Sequence, residues 1–158
     1  WQIAFEKGRG APEQTRFDRL QSWTESADPG IKYFSGTGTY RRDFDMAPSW
    51  QQAGRRVELD LGEVHDIATV IINGVPFAPL WQRPYRIDVS KALQPGKNRV
   101  EVSVVNLWPN RLIGDKQPGA KPVAFAPSSP YRANSPLLPS GLLGPVRLLA
   151  IDDGNNGD

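Results

Sequence analysis

Residues 106–115 read NLWPNRLIGD and bring one large aromatic side chain, Trp108, together with three strong hydrogen-bonding groups, Asn110, Arg111 and Asp115. Those types suit carbohydrate recognition. A flat aromatic ring covers the C–H face of a pyranose, while planar amide, carboxylate and guanidinium groups pair with vicinal hydroxyls. LWQRPYR holds a second set, with Trp81 and Tyr85 as the rings and Gln82 and Arg83 as polar partners. The first set also fits a purely structural role, in which Trp108 plugs the core beneath a long loop and Arg111 and Asp115 form an ion pair that staples the loop down. Trp23 in QSWTES and Trp50 in APSWQQ also lie near loops, and both are read as lids over the core rather than as binding platforms.

Chemistry beyond binding has little to work with. The chain has one histidine, His65 in EVHDIA, and no GxSxG elbow accompanies it, so it is read as a turn histidine rather than a catalytic base. Cysteine is absent, which removes disulfides, thiolate nucleophiles and Cys-based zinc sites together. No cofactor is expected beyond a structural calcium ion, which Asp28, Asp43 or Asp115 could hold with backbone carbonyls. Glycoside hydrolysis needs two carboxylates about 5–9.5 Å apart across one sugar bond, a separation that sequence spacing does not establish for the loop acids Glu25, Asp28 and Asp115. GTGTYR lacks the third glycine of a dinucleotide loop, so its glycines are assigned to close strand packing. No catalytic residue is assigned, and a small stand-alone hydrolase stays as the least favoured reading.

The elements that must position these groups read as all-β. Fifteen glycines and fifteen prolines punctuate short runs of Val, Ile, Tyr, Phe and Thr, without an amphipathic period long enough for a substantial helix. Strands are expected near 1–5, 36–44, 55–61, 67–73, 75–79, 85–89, 98–105 and 146–151, which suits a two-sheet β-sandwich of jelly-roll type. RRVELDL places Val57, Leu59 and Leu61 on one face and charged residues on the other. IATVIIN has no polar alternation except Thr69 and is expected to be a central strand covered on both faces. Asn73-Gly74 supplies the positive φ angles of a type I′ turn. DVSKALQPGKN is a connector in which Ser90 caps one helical turn and Leu93 tucks under the sheet.

Between Val105 and Val146 runs a long proline-rich stretch with little strand pattern, and connections of that length in a compact domain are usually functional or domain-contacting. Function is therefore placed there. One domain is expected over residues 1–152, with 153–158, which includes GNNGD, as a tail or linker. The start at Trp1, already inside an apparent strand, fits a boundary within a larger protein. Nineteen basic residues against seventeen acidic give a net charge of +2, and the cations are scattered along the chain, so no nucleic-acid partner is expected. No apolar run approaches the ~20 residues of a membrane span.

Several motifs coincide with a known pattern: SGTGTYRRDF, LDLGEVHDIATVIINGVPFAPLW, PYRIDVSKALQPGKNRVEVSVVNLWPNRLIGD and SGLLGPVRLLAI. Together they resemble the galactose-binding-like β-sandwich that serves as the sugar-binding domain of family 2 glycoside hydrolases. NLWPNRLIGD and SGLLGPV resemble more closely the C-terminal sandwich of family 106 α-L-rhamnosidases. The resemblance spans nearly the whole chain. It implies a non-catalytic accessory module of a secreted or periplasmic polysaccharide-degrading enzyme, working beside a catalytic barrel that needs ~250 residues of its own. The implied partners are that catalytic domain and a plant or microbial polysaccharide, such as a rhamnose- or galactose-containing pectin. A purely structural module packing on the catalytic domain is the alternative.

Overall fold

The alternation in RRVELDL comes out as expected: Val57, Leu59 and Leu61 point into the core, and Arg56 stays in solvent. The computed structural model describes residues 1–50 and 55–152, so the expected tail at 153–158 lies outside the described residues. The strands are β1 (Gln2–Phe5), β2 (Gln14–Arg16), β3 (Thr37–Met46), β4 (Arg55–Asp60), β5 (Glu63–His65), β6 (Ile67–Ile72), β7 (Val75–Pro76), β8 (Arg86–Asp88), β9 (Gly96–Val105), β10 (Gly141–Gly144) and β11 (Arg147–Asp152). Among the described residues, helices are confined to α1 (Pro29–Lys32), α2 (Pro109–Gly114) and single 3-10 turns at Trp23–Glu25 and Pro48–Trp50.

One layer is a six-stranded antiparallel sheet in the order β2-β1-β3-β9-β6-β7. The other combines β11-β4-β8 with the pair β10-β5. The chain passes from β4 to β5 at Gly62 and from β10 to β11 just after Gly144, and these two glycines bridge each other. Both have positive φ, and a Cβ on Gly62 would stand 2.5 Å from the Gly144 carbonyl, so only glycine lets the layer bend there.

Inward residues of the six-stranded sheet, among them Ile3, Tyr40, Val70 and Val102, meet Val57, Leu59 and Leu142 of the opposing layer. Trp23 lies at the centre with no exposed surface, edge-on to Phe5 and Phe34 at ring separations of 5.4 and 5.3 Å. Its indole N–H donates to the Tyr40 hydroxyl, which also accepts the Leu142 amide at 3.0 Å. Burial pushes the Tyr40 phenol pKa well above its ordinary value. Gly38 packs directly against the Trp23 ring, as the strand-packing role of GTGTYR requires.

Three expectations change. IATVIIN is not covered on both faces: Ala68, Val70 and Ile72 are buried, but Ile67 and Thr69 are exposed, because no layer among the described residues covers the outer side of that sheet. Strands β2, β5 and β10 were not anticipated, and 75–79 shrinks to a two-residue strand. In the connector, Leu93 is buried as expected, but Asp88 caps the Ser90 amide at 3.0 Å, and the Ser90 hydroxyl accepts the Val57 amide at 2.8 Å instead. The Asn73-Gly74 turn stands as read, with φ of 50° and 85°. Asn73 does more than turn the chain, since its side chain also accepts from the Arg99 amide at 2.8 Å and donates to the buried Asn98 at 2.8 Å.

Trp23→Ala is expected to lower the unfolding free energy by ~3–5 kcal/mol, the range for removing a fully buried large aromatic. Gly38→Ala is expected to cost ~1–3 kcal/mol through overpacking, because its new methyl would sit 2.5 Å from Trp23 Cζ2. Urea denaturation of both variants checks the pair.

Candidate functional site

NLWPNRLIGD leaves β9 and becomes α2, with Pro109 in the first helical turn where its missing N–H is harmless. Asn106 anchors the exit: its side chain donates to the Phe34 carbonyl at 2.9 Å and accepts from the Gly36 amide at 3.1 Å. The buried Asn110 side chain accepts the Leu138 amide at 2.9 Å and donates to the Leu138 carbonyl at 2.7 Å, copying a strand-like pairing with the far end of the long loop. Arg111 and Asp115, one helical turn apart, form an almost fully enclosed ion pair at 2.9 Å. The Asp115 carboxylate also accepts the amides of Val123 and Ala124 at 3.0 and 2.9 Å. Gly114 makes the close fit possible, since a Cβ there would lie 2.4 Å from Tyr33 Cβ.

The three polar groups of the motif therefore face the protein and hold the loop, while Trp108 faces outward and is 65% exposed. The core-plug role does not apply to Trp108, but the stapling role does apply to Arg111 and Asp115. Trp108 borders a cleft of about 130 Å³ that is also lined by Arg9, Ser35, Val123 and Phe125. Phe125 is 91% exposed, and Leu107, Val123 and Leu138 are exposed as well, so this edge of the sandwich is apolar. Within it the Arg111 Nε is buried without a hydrogen-bond partner.

The second set of candidates divides. Trp81 is 68% exposed, whereas Tyr85 is buried and its hydroxyl donates to the Asp66 carbonyl at 2.7 Å. Burial, then the nearby Asp66 charge, raises the Tyr85 pKa. Neither residue borders the cleft beside Trp108. Of the other tryptophans, Trp23 is a core residue and Trp50 packs partly buried against the core.

For catalysis, among the described residues the His65 ring bonds the Glu63 carboxylate alone, at 2.9 Å, and no hydroxyl is hydrogen-bonded to it. Glu25 and Asp28 border one open cleft with Asp18, but Asp28 spends Oδ1 on capping the Gly30 amide of α1 at 2.7 Å. The calcium candidates do not converge. Asp43 is engaged by Arg99 and Asp115 by Arg111, and among the described residues no three acidic or histidine side chains cluster as a metal site.

Asp115→Ala is expected to cost ~3–5 kcal/mol, because it leaves the enclosed Arg111 charge unpaired. Trp108→Ala, which deletes an exposed ring, is expected to change stability by less than ~1 kcal/mol. Thermal and urea unfolding of the two proteins side by side would check the contrast.

Comparison with known proteins agrees with this architecture. A Formosa agariphila protein provisionally named a β-glucuronidase is 38% identical over 94% of the chain and 15% of its own length. The solved rhamnosidase of Novosphingobium sp. PP1Y superposes with a TM-score of 0.91 at 48% identity, over 96% of the chain and 14% of that protein. A Ruminococcus gnavus β-glucuronidase shares the fold at a TM-score of 0.55 and 20% identity, over 67% of the chain and 20% of that enzyme. The chain thus spans about one seventh of the length of the first two relatives. The likeness to a rhamnosidase expected from NLWPNRLIGD and SGLLGPV is found. The family model for the glycosyl hydrolase 2 galactose-binding domain-like module matches residues 31–134, and the chain belongs to that family.

Proposed function

We propose that the chain is a non-catalytic accessory module of a secreted or periplasmic glycoside hydrolase, seated through its apolar loop edge against the catalytic part of the same parent chain. The observation that carries this reading is the outward display of Leu107, Trp108, Val123 and Phe125 beside Asn110, Arg111 and Asp115 that are turned inward. A sugar platform at Trp108 needs polar side chains aimed at hydroxyls, and those of its own motif are spent on the loop. Exposed Trp108, Val123 and Phe125 around one cleft on a stapled loop suit an interdomain contact. The relatives' much greater length supports a covalently linked neighbour as the occupant.

Hydrogen–deuterium exchange on the full parent protein and on the 158-residue chain tests the seating. Amides of residues 107–125 are expected to be protected more strongly in the parent, and equal exchange in the two would overturn the docking role. The isolated chain is also expected to release no product from aryl rhamnosides or aryl glucuronides. Turnover that persists on repurification and disappears in a Glu25→Gln variant would restore the stand-alone hydrolase.

A further inference from the structure

The fold collects arginines that the sequence scatters. Across β2, β1, β3 and β9 the register places Arg16 opposite Gln2, Gln2 opposite Arg41 and Arg41 opposite Glu101, with Arg99 opposite Asp43 one step further along. Directly paired residues share a face, so Arg16, Gln2, Arg41 and Arg99 all project from the outer side of the six-stranded sheet. With Trp1, Asp18 and Asp43 they line an open groove of about 460 Å³, and Arg42, which leaves β3 on the other side opposite the buried Val100, borders it beside Trp1.

The guanidinium groups are held in place. Arg99 grips Asp43 through two bonds of 2.7 and 3.1 Å, and Arg41 bonds Glu101 at 2.8 Å. Arg42 has no carboxylate partner among the described residues, and its guanidinium lies 5.7 Å from the Trp1 ring centroid. The hydrogen bonds from Arg99 hold the Asp43 carboxyl below the usual carboxylate range, so the pair stays charged at neutral pH. A guanidinium has five donors, and Arg99 and Arg41 spend two at most on Asp43 and Glu101, so donors remain for a ligand at little ordering cost.

We propose that this groove binds a polyuronate, an acidic glycan carrying one carboxylate per sugar ring. Fixed planar guanidiniums match carboxylates two-on-two. The lining also holds Asp18 and the amide of Gln2, which accept hydrogen bonds from sugar hydroxyls. A nucleic-acid backbone has few donors for those acceptors. Strands lie about 4.8 Å apart, so Arg16 and Arg41 stand about 10 Å apart, roughly the length of two pyranose units. The proposal takes only its class of polymer, a glycan, from the accessory-module reading. The groove lies about 20 Å along the strands from the Trp108 edge, by the six-residue separation of Arg99 and Val105, so the two sites fail or stand separately.

Affinity electrophoresis of the 158-residue chain through polygalacturonate, neutral galactan and single-stranded DNA tests it. Retardation is expected in polygalacturonate alone, weakened about tenfold by Arg42→Ala and by Arg99→Ala. The same loss of charge by Arg147→Ala, exposed on β11 in the other layer, is expected to leave it unchanged. Circular dichroism and melting of each variant confirm that the fold persists; Arg42→Gln serves if either alanine variant melts early. No retardation in polygalacturonate, an equal effect of Arg147→Ala, or retention on DNA as strong as on polygalacturonate would each overturn the proposal. The docking test above does not use this groove, so its outcome does not alter the result.

Discussion

An indole N–H and a phenol hydroxyl cannot be buried without partners, and in this sandwich they are buried against each other. Trp23 donates to Tyr40, and Tyr40 accepts the amide of Leu142, so one hydroxyl joins the turn after β2, the centre of β3 and strand β10 of the opposite layer. Glycine is required at positions 38 and 141 because the indole occupies the space of their missing side chains. The position of the long loop follows from this node. The Trp23 amide donates to the Ser140 carbonyl at 2.9 Å and the Ser140 amide to the Ser22 hydroxyl at 3.1 Å, which fixes the chain next to Leu138. Asn110 grips Leu138, and α2 is thereby oriented with Arg111 and Asp115 inward and Trp108 outward. The exposure of one tryptophan is thus set by the burial of another.

Much of the fold was legible because strands with one buried face carry their period in the residues. Val57, Leu59 and Leu61 announced β4, and Asn73-Gly74 announced its turn. Strands β2, β5 and β10 were not legible: three or four residues are too few to show a period, and β5 and β10 pair with each other from far apart in the chain. The candidate site was half legible. Residue types in NLWPNRLIGD are equally suited to gripping sugar hydroxyls or backbone amides, and only orientation separates the two. A signal was present, since Pro109 fits a helical first turn and Arg111 and Asp115 stand at i and i+4. Read that way, the motif is a short stapled helix. The arginine groove gave no local signal at all, because its members come from four strands and meet only through register.

The two surfaces differ in the physics they offer. The loop edge presents apolar area on a scaffold fixed by enclosed polar bonds, which favours a contact that excludes water. The outer sheet face presents charged donors braced by exposed carboxylates, which favours a ligand that stays hydrated and exchanges quickly. An accessory module with both properties could be seated on one side and sample polymer with the other.

The Gly62–Gly144 contact and the Asn110–Leu138 pairing bear on how such modules diversify. Between them they close the long connection at its base, so the sandwich does not depend on what the intervening chain does. Closing a longer loop costs only about 0.6 kcal/mol for each doubling of its length. Residues between Ala124 and Leu138, beyond the amides that Asp115 holds, can therefore lengthen, shorten or change character with little penalty to folding. The stretch is a swappable faceplate on a self-sufficient chassis, so one scaffold can be refitted to different neighbours by rewriting that segment alone.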